Sequence, residues 1–165
     1  MKQEIKELTK SQMEWIEWNL NAVNEFVEIF SPSDAGKPVS LGALDRAFAA
    51  YIDSGVTDFD QVNATINVVG ITFGSFFINK GSFQWAVVTD KDGSELAVVA
   101  YPESANIIIF PNNFITKRWN KREKFFIENG FNELYAQVKK VESQVVHQAG
   151  EVKLDKKPWW KTLFL

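Results

Sequence analysis

The spacing of apolar residues changes about halfway along the chain, and this change constrains the fold more than any other feature. Over residues 62–77 apolar side chains recur three and four positions apart, which predicts a helix. Over residues 83–88 they alternate, which predicts a strand, and Asp92-Gly93 favours a tight turn because both residues tolerate positive φ. A return strand over about residues 95–101 and a wholly apolar strand at Ile107–Phe110 complete a predicted antiparallel meander.

Helices are predicted on both sides of these strands. Ser40 favours the start of one helix, and Thr57 resembles the first residue of a capping box that opens the next. The predicted helices span about residues 3–30, 40–53 and 57–79, then a short helix or turn after Pro111 and a last helix from about Phe131. We therefore predict a single α+β domain over residues 1–165. Its N-terminal and C-terminal helices pack on an antiparallel sheet of three or slightly more strands.

Three glycines fall within or beside the predicted helices. Gly70 and Gly74 lie one turn apart, where each lowers helix stability by about 1 kcal/mol relative to alanine. This cost favours a groove that lets the sheet or another helix approach closely. Gly130 precedes the apolar stripe of the last helix and predicts a break or kink there.

The composition favours a folded, soluble chain. The sequence is 45% hydrophobic and 24% charged and has no cysteine for disulfides or thiolate chemistry. The net charge of −3 argues against nucleic acid as a partner. Residues 1–10 lack an apolar leader, and the apolar run Ile66–Ile78 is shorter than the roughly 20 residues of a membrane span. We expect a cytoplasmic protein with no membrane span.

No set of residues predicts catalysis or metal binding. Ser143 lies one helical turn from His147, the single histidine, but no nucleophile-elbow motif surrounds the serine. Asp90 and Asp92 resemble the start of a calcium loop, which here lacks the glutamate at the twelfth position, and the hairpin explains them better. We expect no catalytic residues, no metal site and no cofactor.

Positive charge is concentrated in residues 117–124, which hold five cations and one acid. An arginine beside an exposed aromatic is typical of protein recognition and also suits a carboxylate or a phosphate. The residues expected to bind a partner or an anion are Lys117, Arg118, Trp119 and Arg122. The simpler interpretation is a solvated helix face that pairs with residues 1–34, where seven acids stand against three lysines.

A second interpretation of the same cluster is a clamp for a small anionic ligand. Lys117 and Arg118 would then converge beside Trp85, with Gln84 as a polar neighbour. This arrangement requires a concave pocket and describes a ligand-binding protein or an enzyme.

The N-terminal helix carries two apolar stripes, one of which includes Trp15, Trp18 and Phe26. A helix that is apolar on two faces is either sandwiched in its own domain or gives one face to a partner. A homodimer formed through these three residues is therefore an alternative function.

The C-terminal residues 158–165 are strongly apolar and include two adjacent tryptophans, Trp159 and Trp160. This segment, called the apolar tail below, has three possible roles. It can cap the core, bind a groove of a partner or meet a second copy of the chain.

Four motifs occur in an order that resembles a bacterial family of domains of unknown function. They are Phe73-Gly74-x-Phe76-Phe77, Trp85-x-Val87-Val88-x-Asp90-x-x-Gly93, Phe110-Pro111 and Lys117-Arg118. The resemblance covers about residues 40–125 and leaves out the N-terminal helix and the apolar tail. It implies a small bacterial α+β domain and assigns no catalytic role to any residue.

The leading functional hypothesis is a non-enzymatic protein-interaction module, such as an adaptor, an immunity-type protein or a small chaperone-like protein. It rests on the missing catalytic set, the two-faced first helix and the cluster of cations and aromatics. Its expected partner is another protein.

Overall fold

The computed structural model describes residues 3–101 and 107–149, with the side chains of the last helix described as far as Val145. The helices are α1 (Lys10–Phe30), α2 (Leu41–Asp53), α3 (Phe59–Ile78), α4 (Pro111–Asn120) and α5 (Ile127–Ala149). The strands are β1 (Glu4–Lys6), β2 (Gln84–Asp90), β3 (Gly93–Ala100) and β4 (Ile107–Ile109), and a 3₁₀ turn spans Pro32–Asp34. These elements confirm the predicted α+β class.

The four strands form one antiparallel sheet in the order β1-β2-β3-β4. The hairpin at its centre places Ala86 opposite Ala97 and closes at the pair Asp90 and Gly93. Gly93 has φ +134°, so the glycine supplies a conformation that a side chain would strain. The predicted meander is confirmed in β2, β3 and β4.

The first residues form an edge strand, so the prediction of a helix from residue 3 is wrong. Thr9 follows this strand, and its hydroxyl accepts a hydrogen bond from the backbone of Gln12, while the Gln12 side chain accepts one from the backbone of Thr9. This capping box starts α1 at Lys10. Residues 4–6 then pair with Thr89, Val88 and Val87 of β2.

The starts of the next two helices follow local hydrogen bonds. Ser40 caps α2 through its hydroxyl, which accepts a hydrogen bond from the backbone of Ala43, as predicted. Asp58 caps α3 by accepting one from the backbone of Gln61, so the prediction of Thr57 as the capping residue is wrong by one position. An aspartate at this position also favours the positive end of the helix dipole.

Helix α3 lies at the centre of the molecule and packs against α1, α2, α4, α5 and the sheet. Helix α3 has 20 residues, and the 13-residue apolar run Ile66–Ile78 is the C-terminal part of it. By length and composition α3 meets the criteria for a membrane span, but 56% of that apolar window is buried inside the domain. The core helix of a folded domain meets the same criteria.

The glycines of α3 let α4 and the sheet approach closely, as predicted. A methyl group at Gly70 would lie 2.9 Å from the Cα atom of Asn112, and one at Gly74 would lie 2.9 Å from the Pro111 ring and even closer to Trp85. Gly130 lies within α5, so the predicted break at this residue is wrong. The glycine makes room for the ring of Phe114, which a side chain at this position would strike.

The buried side chains form two clusters on opposite faces of the sheet. The larger cluster joins all five helices to one face, which we call the inner face, and includes Phe48, Phe73 and Phe77, each no more than 1% exposed. The smaller cluster lies on the other, outer face and consists of Ala86, Val88, Ala97 and Val99 with Ile5, Ile108 and Phe110 beside them. The apolar tail lies outside the described residues.

Candidate functional site

Helix α4 presents the predicted cations along one side and buries the opposite side. Its buried residues are Pro111, Ile115 and Trp119, spaced four apart, so they form one stripe against the core. Lys117 is exposed and Arg118 is half-buried in the last turn. This position near the negative end of the helix dipole favours cations.

Arg118 is held in place by Phe114, one turn earlier. Its guanidinium lies 3.5 Å from the centre of the Phe114 ring and donates a hydrogen bond to the Phe114 carbonyl oxygen at 3.1 Å. Phe114 in turn stacks on Phe73 of the core, with ring centres 4.8 Å apart. These contacts hold the Arg118 guanidinium in a fixed orientation.

Trp119 is a core residue, so the expectation of an exposed aromatic at this position is wrong. Its side chain is 6% exposed and its ring packs against Phe48 and Tyr51 at centroid distances of 6.1 and 5.4 Å. The outer surface of the ring holds Arg122, whose guanidinium lies 4.0 Å from the ring centre. Trp119 thus supports Arg122 from below and is itself almost wholly buried.

The exposed aromatic of this region is Phe125, which the sequence analysis missed. Its side chain is 59% exposed, and its backbone has φ +56°. Arg122, three residues earlier, has φ +53°. Non-glycine residues adopt such angles at a cost in free energy, and they often do so where function requires a particular side-chain position. The signal in the sequence was the Phe125-Phe126 pair, of which only the second member is buried, with its ring against Phe48 and Phe114.

The surface formed by Lys117, Arg118, Lys121, Arg122 and Phe125 is called the basic-aromatic surface below. Within residues 3–101 and 107–149 none of its four cations forms an ion pair, whereas the adjacent Lys124 pairs with Asp53. The predicted pairing with the acids of the N-terminal helix is therefore absent from the described part of the chain. The pKa of Glu95 is affected by one of these cations. Burial raises the pKa of Glu95, and hydrogen bonding from Asn113 and the positive charge of Lys117 oppose that shift.

Gln84 and Trp85 do not line a common pocket, because adjacent residues of β2 face opposite sides of the sheet. Trp85 points to the helices, where its ring lies against Gly74 and packs at the margin of the core. Gln84 is 7% exposed on the outer face, and its amide nitrogen has no hydrogen-bond partner among the described residues. The structure therefore does not bring Gln84 together with the cations of α4.

The three aromatics assigned to a dimer face are also divided between two environments. Phe26 is 8% exposed and packs on Phe30 and Tyr51 in the core, so it is not part of a surface. Trp18 is 64% exposed and Trp15 is 39% exposed. Trp15 also lines a groove of about 340 Å³ between α1 and the β2–β3 hairpin, together with Val87 and Leu96.

Ser143 and the hairpin aspartates, which were considered for catalysis or metal binding, form local hydrogen bonds. Ser143 donates its hydroxyl hydrogen bond to the carbonyl oxygen of Lys139 in its own helix, and the side chain of His147 lies outside the described part. Asp90 accepts a hydrogen bond from the backbone of Asp92 within the hairpin turn, as the turn interpretation predicted. Across the described ranges, no three acidic or histidine side chains are grouped to hold a metal ion.

A family model described as "Domain of unknown function (DUF3806)" matches residues 46–131, just over half of the chain. The chain belongs to this family. The DUF3806 segment begins within α2, ends within α5 and contains the whole basic-aromatic surface, while α1 and the apolar tail lie outside it. The family resemblance predicted over residues 40–125 is thereby confirmed at the level of a domain of unknown function. No curated protein and no solved structure matches the chain.

Proposed function

We propose that this DUF3806 protein is a non-enzymatic interaction module that binds an acidic segment of another protein through the basic-aromatic surface. The observation that carries this proposal is Phe125, an exposed phenyl ring held at positive φ three residues after Arg122, whose guanidinium is stacked on Trp119. An exposed apolar anchor on a chain segment that also carries oriented cations suits a peptide that carries carboxylates around a hydrophobic residue.

The four cations favour an acidic partner over a neutral one. They have no described carboxylate within ion-pair distance, so a partner that supplies carboxylates does not displace an internal pair. Arginine also binds a carboxylate through two parallel hydrogen bonds, and Arg118 and Arg122 are already ordered by the rings beneath them. A fixed guanidinium loses less side-chain entropy on binding than a free one.

The backbone conformation of residues 121–125 is a second observation that supports the proposal. Residues in left-handed conformations cost free energy in the folded state, and asparagine tolerates such angles better than phenylalanine does. A phenyl ring that is both strained and exposed contributes little to the fold. Its placement is explained when the ring enters a pocket of a partner.

The test uses affinity capture from a lysate of the source cells, followed by measurement of the dissociation constant for the captured protein. We compare the wild type with Phe125→Asn and with Lys117→Ala/Lys121→Ala. Arg118 is left intact because it also packs on Phe114. The matched control is Phe59→Ala/Lys91→Ala, which removes a phenyl ring that is 76% exposed and an exposed lysine elsewhere.

We expect the wild type and the control to retain an acidic protein, and both test variants to bind it at least about tenfold more weakly. We also expect the affinity to fall as salt is added, since the cations are exposed. The melting temperature of Phe125→Asn should equal or exceed that of the wild type. Equal recovery by all four proteins, or a loss confined to the control, would contradict the proposal.

A further inference from the structure

Helix α1 exposes an apolar stripe on the side turned away from the core. Trp15, Trp18 and Ile29 are 39, 64 and 60% exposed. At roughly 100° per residue they fall within one narrow sector of the helix. Single exposed apolar side chains are common on protein surfaces, but a group of large ones on one helix face is typical of a contact with another molecule.

A row of glutamates follows this stripe along one side. Helix α1 contains one lysine and four glutamates, and the glutamates occupy the adjacent sector of the helix: Glu14, Glu17, Glu25 and Glu28. Among the ion pairs of residues 3–101 and 107–149, only the one between Lys10 and Glu14 involves α1. We call the stripe and the row together the acidic-aromatic face. Two identical faces of this kind would repel each other, so the face favours a cationic and apolar partner.

The groove between α1 and the β2–β3 hairpin adds a place for an aromatic ring beside this face. It has a volume of about 340 Å³, and Trp15, Val87 and Leu96 give it an apolar lining. An apolar cavity of about 150 Å³ already holds a benzene molecule, so the groove has room for a phenyl ring. Such a ring fills the groove through apolar contact alone.

The complementary chemistry lies on the same chain, but at a distance from the groove. Asn113, in the first turn of α4, hydrogen-bonds to Glu95, which lines the groove. Phe125 follows the opposite end of α4, a helix of ten residues that is about 15 Å long. Its ring is exposed and does not line the groove. A phenyl ring that enters the groove therefore comes from another molecule.

We propose that the basic-aromatic surface of one copy docks on the acidic-aromatic face of a second copy, with Phe125 in the groove beside Trp15. The exposed cations Lys121 and Arg122 then face the glutamates of α1. This inference rests on the proposed function, since α1 of a second copy presents the acidic and apolar chemistry that the basic-aromatic surface is proposed to bind. Two different surfaces meet, so the contact is heterologous and extends into rings or chains of molecules.

The test is sedimentation velocity of the full chain over a range of protein concentrations. We expect the average mass of the wild type to rise with concentration and to fall again when salt is added. The variants Glu14→Lys/Glu17→Lys and Lys121→Glu/Arg122→Glu should each associate at least about tenfold more weakly. Their equimolar mixture should regain association, because it contains one intact surface of each kind. The control is Glu133→Lys, which reverses an exposed acid of α5 and should associate like the wild type.

Two single substitutions test the ring and the groove separately. Phe125→Asn and Trp15→Ala should each weaken association, while circular dichroism confirms that both proteins are folded. Recovery in the mixture of the two charge variants shows that both of them are folded as well. A wild-type mass that does not change with concentration would overturn the inference. Undiminished association of Glu14→Lys/Glu17→Lys, or a mixture of folded charge variants that regains nothing, would also overturn it.

The outcome for the proposed function is read independently. A chain that stays monomeric but captures an acidic protein from the lysate would overturn this inference and leave the proposed function intact. Self-association that follows the variants, together with a lysate from which no acidic protein is captured, would support this inference and contradict the proposed binding of another protein.

Discussion

At the scale of single residues, Asp45 makes the longest-range side-chain hydrogen bonds found among the described residues. Its two carboxylate oxygens accept hydrogen bonds from the backbone nitrogens of Ile127 and Glu128 at 2.7 and 2.9 Å. Asp45 lies on α2 and is 7% exposed, so it caps the first turn of α5 from inside the molecule. Burial raises the pKa of Asp45, while the two backbone donors favour the ionised form and oppose that shift.

Replacement of Asp45 by alanine is predicted to lower the free energy of unfolding by about 2–4 kcal/mol, because two buried backbone donors lose their acceptor. Urea denaturation followed by circular dichroism measures this change. The control is Asp53→Ala, which removes an exposed carboxylate paired with Lys124 and should cost about 1 kcal/mol or less. Equal effects of the two substitutions would contradict the role of Asp45 as a buried cap.

Sequence reasoning identified the local cap at Ser40, missed the equally local capping box at Thr9, placed the cap of α3 one residue early and missed the distant cap at Asp45. Ser40 binds the backbone three residues later, so a local pattern predicts it. Asp45 binds residues more than 80 positions away, and nothing in its immediate neighbourhood indicates this. The error at Trp119 was avoidable, because Ile115 and Trp119 are four apart and share the buried stripe of α4.

At the scale of the elements, the close contact of α3 with α4 and the hairpin depends on two glycines. The Trp85 ring and the Pro111 ring both lie against Gly74, and the backbone of Asn112 lies against Gly70. Gly70 lies against backbone atoms, and Gly74 lies against a proline ring. Neither neighbour can move easily, so an added methyl group would be hard to accommodate at either glycine.

Gly74→Ala is predicted to lower the free energy of unfolding by about 1–3 kcal/mol through overpacking, even though alanine improves helix propensity by about 1 kcal/mol. Gly42→Ala is the matched control, since a methyl group there meets its nearest atom, in the flexible side chain of Arg46, at 3.4 Å. The control should be neutral or stabilising. Thermal unfolding monitored by circular dichroism gives both values, and a stabilised Gly74→Ala protein would contradict close packing at this position.

Elements with a periodic pattern were predictable, and the short ones were not. The helices α2 and α3 and the hairpin were placed to within a few residues because spacing, caps and turn residues agree. Strand β1 has three residues and forms through pairing with β2, about 80 positions away, so its sequence alone carries no signal. The sequence indicated the cations of the basic-aromatic surface, but the exposure of its phenyl ring depends on the backbone conformation of the loop that holds Phe125.

At the scale of the whole molecule, the DUF3806 segment shares its core with residues outside it. Phe26, Val27 and Phe30 of α1 belong to the same cluster as Phe48 and Tyr51 of α2. The matched segment also begins at Arg46, in the middle of α2. Removal of residues 1–45 therefore exposes aromatic side chains that α1 covers.

We predict that a fragment of residues 46–131 shows no cooperative thermal transition, because the loss of α1 and most of α5 removes much of the apolar burial that stabilises a small domain. The full chain should unfold in a single cooperative transition. Differential scanning calorimetry of the two proteins tests this. A fragment that melts cooperatively near the temperature of the full chain would show that the DUF3806 segment folds independently.

The three-residue strand β1 also limits how this protein can assemble with itself. It occupies the backbone of residues 87–89 of β2, a valine-rich stretch that would otherwise form a free edge of the sheet. The opposite edge, β4, is equally short. Exposed edges of longer strands recruit identical strands from other molecules and start fibrils. Removal of the first six residues, for example by an aminopeptidase, would therefore expose the edge of β2, and this exposed edge can nucleate aggregation.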